Sequence, residues 1–533
     1  MAVLSEAITL GDALLRTAAR KPDDLALALP DGTHTWRELA DRAERIARNL
    51  IGLGVAPGAH VGVLMPNGFD ILATYFGVSL AGCAIVPINA RFRTRELGYI
   101  VSNADLACVI TNDANDAYVN YLDLLLESIV GEPPHMVVLG RREREGVLSD
   151  AAFDALGADV SAAVAERRRC GASVADPAMI LYTSGTTADP RGAIISHESI
   201  VRVWAGAVAH ALRLGDGDVM WNPCPMFHIA AMGVSVACVT HGITIVTAPF
   251  FEPDSAVELL ARYEPTALFP AYANILLGVL THPRFAGTHA TRALVVGPPT
   301  TLRSLQDQLP GLALVSTFGM TESCGCSTFS DIEDPLDLRM DTVGPPIAGL
   351  ELRIADPLTD APLGPGERGE IQLRGPILFG GYYKDPEKTA ATWVEGGWMR
   401  TGDLGAMTAD GRAQYHGRLK DIIRVGGENL SPTEIEAHLM THPAVLIAQA
   451  LGIPDPRLDE IPVAFVELRA GMSASEEELI AHCQGAIARF KVPRHIRFVT
   501  EWPMSATKVQ KFRLREALVS ELAAAAETVG PRP

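Results

Sequence analysis

Apolar positions in the first half of the chain follow two alternating rhythms. Thr35 and Glu38 stand three apart, the spacing of a capping box, and Leu39, Ala43, Ile46, Ala47 and Leu50 follow at helical intervals. Gly52 and Gly54 end that helix. Val61–Met65 is a short unbroken apolar run, as in a strand covered on both faces. A helix is expected over 69–81 and a strand over 83–86, which makes a strand–helix–strand unit with parallel pairing. The same rhythm predicts strands at 106–111, 136–139, 178–181, 243–247, 266–269, 293–296 and 312–315. Residues 143–169 are charged and Ala-rich and read as a surface helix with loops, a solvated connection without chemistry.

Beyond about residue 340 Gly and Pro become dense, as in Gly344-Pro345-Pro346 and Gly364-Pro365-Gly366. Short alternating segments such as 369–374 suggest a small β-rich subdomain. After Lys420 a compact α+β tail is expected, with strands near 464–468 and 497–499 and helices near 475–488 and 512–525. The domain boundary is placed at Lys420, dividing 1–419 from 420–533. No internal repeat is visible.

The chain has 533 residues, too many for one core, so two or three domains are expected. A hydrophobic share of 48% with 20% charged residues argues against disorder. A net charge of -18 disfavours nucleic acid, whose phosphates need clustered Lys and Arg. The eight Cys residues lack paired metal-ligand spacing and read as reduced thiols. No secretory signal and no uncharged run of ~20 apolar residues are seen, so a soluble cytoplasmic protein without a transmembrane segment is expected. The oligomeric state stays open, a homodimer included.

Five loops carry candidate chemistry. In Leu181-Tyr-Thr-Ser-Gly-Thr-Thr-Ala-Asp-Pro-Arg-Gly192 an apolar strand runs into hydroxyl residues around Gly185, then a cation. Small residues admit an anion close to the backbone, and hydroxyls can donate to phosphate, but a flexible Ser/Thr turn fits the residues equally well. In Ser316-Thr-Phe-Gly-Met-Thr-Glu322 a carboxylate follows a strand end, where it could hold Mg²⁺ or simply face solvent. Trp398-Met-Arg-Thr-Gly-Asp-Leu404 places Asp403 in an expected tight turn, able to accept from a ribose diol. Gly417–Asn429 leads into a helix near Ser431-Pro432. Pro503–Lys511 is a basic loop in an acidic protein.

Together and in this order the five loops resemble those of the adenylate-forming superfamily, which includes acyl- and aryl-CoA synthetases, firefly luciferase and peptide-synthetase adenylation domains. The resemblance runs from about Thr35 to Arg515. It implies an α/β fold: a large N-terminal domain of two α/β lobes plus a β subdomain, and a small mobile α+β C-terminal domain hinged at Lys420. It also implies an ATP-dependent ligase that forms an acyl-adenylate and passes the acyl group to coenzyme A, with Mg²⁺ as cofactor. Thr183, Ser184, Gly185, Thr186 and Thr187 match the phosphate loop, with Arg191 at its usual Lys. Phe318 matches the aromatic beside adenine, with Gly297 and Gly319 nearby. Thr321 resembles the phosphate-contacting Thr, and Glu322 the Mg²⁺ acid. Asp403 matches the ribose ligand and Arg418 its neighbour. Gly426, Gly427 and Glu428 resemble the lining of the coenzyme A channel, and Lys508 the catalytic lysine.

Three departures stand out: Ala188 and Arg191 replace the usual Gly and Lys, and Thr507 adjoins Lys508 in a loop one residue short, without the usual Gly. Lys511 is the fallback lysine. Pro225-Met-Phe-His-Ile-Ala230 resembles the acyl-CoA synthetase form of the substrate segment, with His228 where amino-acid adenylating domains carry Asp. The acyl-pocket candidates His228, Met232, Tyr272, Ala273, Gly325 and Cys326, with Gly297 and Gly319, include no Lys or Arg for a second carboxylate. A monocarboxylic acid with a fatty, alicyclic or aromatic tail is expected. The alternatives are a ligase loading a carrier protein, and a nucleotide-binding protein without turnover.

Overall fold

The computed structural model describes residues 8–114, 119–183, 190–425, 428–504 and 509–529. The chain groups into two compact units. The first comprises Met1–Gly297, Leu305–Leu352 and Leu373–Met399; the second comprises Pro298–Ser304, Arg353–Gln372 and Arg400–Pro533.

The first unit is built on two seven-stranded sheets. Its strands in chain order are β1 (Leu25–Leu29), β2 (Gly32–Thr35), β3 (His60–Leu64), β4 (Ala84–Pro87), β5 (Leu106–Asn112), β6 (His135–Leu139), β7 (Leu148–Ser149), β8 (Pro177–Thr183), β9 (Arg191–Ser196), β10 (Val219–Trp221), β11 (Thr244–Val246), β12 (Ala267–Tyr272), β13 (Arg292–Val296) and β14 (Ala313–Val315). One sheet has the order β7-β6-β5-β3-β4-β8-β9 and the other β14-β13-β12-β10-β11-β1-β2. Pairing is parallel except for β8 with β9 and β1 with β2. The expected capping box forms: Thr35 accepts from the Glu38 N–H, Glu38 from the Thr35 N–H, and the helix runs Trp36–Gly52. Helix Phe69–Leu80 is buried from Ile71 to Leu80, so its composition is apolar all round.

The 143–169 segment is less detached than expected. It contains helices Asp150–Gly157 and Ala162–Cys170, and Arg168 donates to the carbonyls of Val55 (2.6 Å) and Ala81 (3.1 Å), binding the segment to two chain reversals.

A five-stranded sheet follows in sequence: β15 (Glu351–Ala355), β16 (Gly369–Arg374), β17 (Trp393–Val394), β18 (Trp398–Met407) and β19 (Ala413–Arg418). The fourth sheet lies in the second unit and comprises β20 (Ile423–Val425), β21 (Glu428–Leu430), β22 (Val445–Asp455), β23 (Asp459–Leu468) and β24 (His495–Phe498). Helices Pro432–Leu439 and Glu476–Cys483 set Ile435, Leu439 and Leu479 against Ala448, Val466 and Ile496. The expected helix over 475–488 stops at Cys483, shortly before Gly485, whose φ is positive. Helix Lys511–Val529 places Leu514 and Leu518 on a second cluster with Ile453, Val463 and Phe465. No helix among the described residues is long and apolar enough to cross a membrane.

Candidate active site

In the second sheet of the first unit, the chain leaves β10 for β11 on one side and β12 for β13 on the other. Neighbouring strands whose connections diverge open a crevice at their carboxyl ends, the usual ligand position in such sheets. Four strand ends in the order β14-β13-β12-β10 therefore bear on the site. After β10, Asn67 braces the loop: its side chain accepts from the Met226 N–H (2.8 Å) and donates to the Cys224 carbonyl (2.9 Å). His228 follows as the N-cap residue of helix Ile229–His241, its ring tilted against Phe227 at 4.7 Å. β12 ends at Tyr272, with Ala273 opening the next helix, and Tyr272 lies in register with Val296, so Gly297 falls just past the neighbouring end. β14 delivers the 316–322 loop.

That loop is shaped by short polar side chains. The Ser316 N–H donates to the Ser330 hydroxyl (2.8 Å), Thr317 donates to the Thr328 carbonyl (2.7 Å), and the Phe318 N–H donates to the Thr328 hydroxyl (3.1 Å). Thr321–Ser323 forms one tight turn, and Cys324 and Gly325 then take positive φ of 57° and 107°. A Cβ on Gly319 would lie far inside van der Waals contact of the Gly325 carbonyl oxygen, and one on Gly325 would strike the buried Trp204 indole. These two glycines therefore allow the loop to fold back on itself. Burial pushes the Cys324 thiol well up and Cys326 to about 12, so both stay protonated near neutrality. Of the acyl-pocket candidates, Met232, Ala273 and Cys326 are buried, His228 is half-buried and Tyr272 is exposed.

Glu322 is 8% exposed. Its Oε1 accepts a 2.6 Å hydrogen bond from the Tyr382 hydroxyl, and among the described residues no Lys or Arg pairs with it. Burial, with the adjacent carboxylate, pushes the Tyr382 phenol far up, so it remains a donor. Tyr382 was not among the residues expected from sequence; the only signal was a Tyr pair after two glycines.

The hydroxyl-rich loop joins β8 to β9, and Thr183 is in register with Arg191. Ser184, Gly185, Thr186, Thr187 and Ala188 lie outside the described residues. Arg191 pairs through Nε with Asp385 at 3.3 Å. Asp385, also unforeseen, caps helix Pro386–Thr392.

In the second unit, Asp403 corrects an expectation. It lies within the long strand β18, paired in register with Arg418, and not in a tight turn; Gly402 at φ 70° and a bulge after Leu404 supply only a local bend. The Asp403 carboxylate is 1% exposed and pairs with Arg418 Nε at 2.9 Å. The adjacent backbone is held by the Glu370 carboxylate on the Gly402 N–H (2.8 Å) and the Thr401 hydroxyl on the Asp403 N–H (3.1 Å). Lys420 lies in the single turn Leu419–Asp421. Gly426, Gly427, Thr507, Lys508 and the Glu428 side chain are outside the described residues. Lys511 is engaged with the Glu436 carboxylate (2.6 Å) and the Ala450 carbonyl (3.0 Å), a structural anchorage. Among the described residues no group of three His, Cys, Asp or Glu forms a ready-made metal site.

A largely parallel sheet with a switch point, a hydroxyl-rich sequence between β8 and β9 and an acid in the loop after β14 are the features of an α/β fold able to take a nucleotide. The family described as AMP-binding enzyme matches residues 14–383, and its C-terminal domain matches residues 434–508. The chain belongs to that adenylate-forming family, in its acyl-CoA synthetase branch. It is 32% identical to the 3-[(3aS,4S,7aS)-7a-methyl-1,5-dioxo-octahydro-1H-inden-4-yl]propanoyl:CoA ligase of Mycobacterium tuberculosis, over 96% of this chain and 100% of that one. It is 31% identical to the sulfoacetate–CoA ligase of Cupriavidus necator, over 95% and 97%. The crystal structure of the anthranilate CoA ligase AuaEII with anthranoyl-AMP is similar at a TM-score of 0.85 and 26% identity, covering 98% of this chain and 100% of that one. The chain is accordingly an AMP-forming acyl-CoA ligase that uses ATP and coenzyme A.

Proposed function

We propose that this ligase activates a monocarboxylic acid whose tail is aliphatic or ring-bearing and carries no second carboxylate. The observation that carries the reading is the row of strand ends presenting His228, Tyr272–Ala273, Gly297 and Phe318–Glu322, which, apart from His228, Thr321 and Glu322, bring small or largely apolar groups, and no Lys or Arg. Relatives named for sulfoacetate, an indenyl propanoate and anthranilate show that the family accommodates widely different tails.

In the first step a carboxylate oxygen attacks the α-phosphorus of ATP and pyrophosphate leaves. In the second the coenzyme A thiolate attacks the acyl carbon and AMP leaves. Both partners in the first step are anionic, so their repulsion must be offset. Thr183 to Thr187 and Arg191 are assigned to the phosphates, Asp403 and Arg418 to the ribose, Phe318 to adenine and Gly426 to Glu428 to the thiol channel. Lys508 is assigned to the charge developing between carboxylate and α-phosphate. Glu322 suits a divalent cation: it is an acid at a strand end with no competing Lys or Arg among the described residues. Mg²⁺ bound there would neutralise phosphate charge. Residues 1–419 and 420–533 serve as the substrate-binding and lysine-bearing domains, with Lys420 as hinge. Eight unpaired thiols suit a reducing compartment, and we place the enzyme in the cytoplasm.

The test is incubation with ATP, Mg²⁺ and short, long, aromatic and alicyclic acids, with and without coenzyme A, followed by mass spectrometry. Acyl-CoA from apolar monocarboxylic acids is expected. Preference for a dicarboxylate would overturn the substrate class, and pyrophosphate without acyl-CoA would point to a carrier-loading enzyme.

A further inference from the structure

Segment Phe379–Asp385 touches both halves of the proposed nucleotide site within the first unit. On one side it pairs with β9, the strand that leaves the hydroxyl loop. The Ile194 N–H donates to the Gly381 carbonyl (3.0 Å), the Gly380 N–H to the Ile194 carbonyl (2.8 Å) and the Tyr383 N–H to the Gly192 carbonyl (2.8 Å). On the other side it holds the acid turn twice: the Phe379 N–H donates to the Glu322 carbonyl (2.9 Å), and the Tyr382 hydroxyl donates to Glu322 Oε1 (2.6 Å). Tyr382 has little freedom to leave. Its N–H is tied to the Thr389 hydroxyl (2.8 Å), and its ring meets Phe379 edge-on at 4.8 Å. Phe379 in turn stacks on Trp393. The strap ends at Asp385, which pairs with Arg191.

A carboxylate that ligates a cation binds best when its rotamer is held, because the ordering cost is then already met. A phenol on one oxygen does this without neutralising the acid and leaves the other oxygen for the ion. We infer that the Phe379–Asp385 strap positions the nucleotide's divalent cation, with Tyr382 as the positioning residue that orients Glu322 and couples it mechanically to the strand leaving the phosphate loop. The inference rests on the assignment of Glu322 as the cation acid.

The test is Mn²⁺ binding to the full-length protein with a non-hydrolysable ATP analogue, followed by water-proton relaxation. Wild type, Tyr382→Phe, Glu322→Gln and the double variant are compared. Phe preserves the ring packing, so thermal stability and metal-free binding of the analogue should be close to wild type. Tyr382→Phe should weaken Mn²⁺ in the ternary complex by roughly 10-fold, the scale for partners behind a metal ligand. Glu322→Gln should weaken it further, and the double variant should match Glu322→Gln alone. Unchanged Mn²⁺ affinity in Tyr382→Phe, with Glu322→Gln impaired, would overturn the role of the strap and leave the acid's role intact. Additive losses in the double variant would also overturn it, since Tyr382 would then act through something other than Glu322. Unchanged affinity in Glu322→Gln would remove the acid assignment itself.

Discussion

At the scale of single residues, two positions show how burial sets what a group can do. His197 is 2% exposed, and its Nδ1 accepts a hydrogen bond from the Leu10 N–H at 3.2 Å. Burial lowers its pKa from the ordinary 6.5 to about 4. The native state therefore keeps the ring neutral while the unfolded chain protonates it first. The stability this contributes is complete above about pH 6.5 and is lost as pH falls towards 4. Thermal or urea unfolding should show a loss of about 2 kcal/mol from this group between pH 7 and pH 5. In His197→Asn that part of the pH dependence should vanish. Gly319 faces the Gly325 carbonyl with no room for a methyl. Gly319→Ala must shift the loop that carries Glu322, and pyrophosphate release should fall by about 100-fold, the scale for misplacing a catalytic group by ~1 Å. Wild-type rates in that variant would show that the loop relaxes without moving its acid.

At the scale of elements, polar anchors decide which basic residue is available for chemistry. Lys511 opens the last helix and is committed to Glu436, whose same oxygen also accepts from the Ala450 N–H (2.9 Å). Lys511→Met leaves that largely buried carboxylate without its cation. Because the lysine is partly exposed, a loss of about 2 kcal/mol is expected, below the full figure for a buried pair. Chemical unfolding should show the loss, while the folded fraction should still release pyrophosphate. Loss of adenylation without loss of stability would return Lys511 to the catalytic role. The spacing of Lys508 and Lys511 was legible in sequence. The partner of Lys511 was not, because Glu436 lies 75 residues earlier on another helix.

At the scale of the whole molecule, the two half-reactions provide the test of the lysine assignment. Lys508→Ala should reduce pyrophosphate release from acid and ATP by at least ~100-fold. Transfer from a synthetic acyl-adenylate to coenzyme A should stay within a few-fold of wild type, since that step needs no cation between carboxylate and phosphate. Equal loss in both steps would show that Lys508 serves the fold or both reactions. Sequence reading missed β22, in which Gln449, Gly452 and Pro454 interrupt the apolar pattern. Antiparallel pairing with β23, across the short connection 456–458, stabilises that strand where local preference does not.

The sequence by itself determined the alternation of strands and helices, the capping box at Thr35, the loop set and the chemical class. The first three depend on periodicity and short-range spacing, which one chain displays directly; the chemical class came from the resemblance of the ordered loops to the adenylate-forming superfamily. Tertiary structure decided the rest. It set the strand order that makes the end of β10 adjoin that of β12, and it moved Asp403 from an expected turn into a strand against Arg418. It brought Tyr382 to Glu322, 60 positions earlier in the chain. The first and third arise from pairing between segments far apart in the chain, and local preferences carry no record of which distant segment will satisfy a buried polar group; the second arises because β18 runs on through Asp403 and pairs with the next strand, which the local turn residues do not reveal.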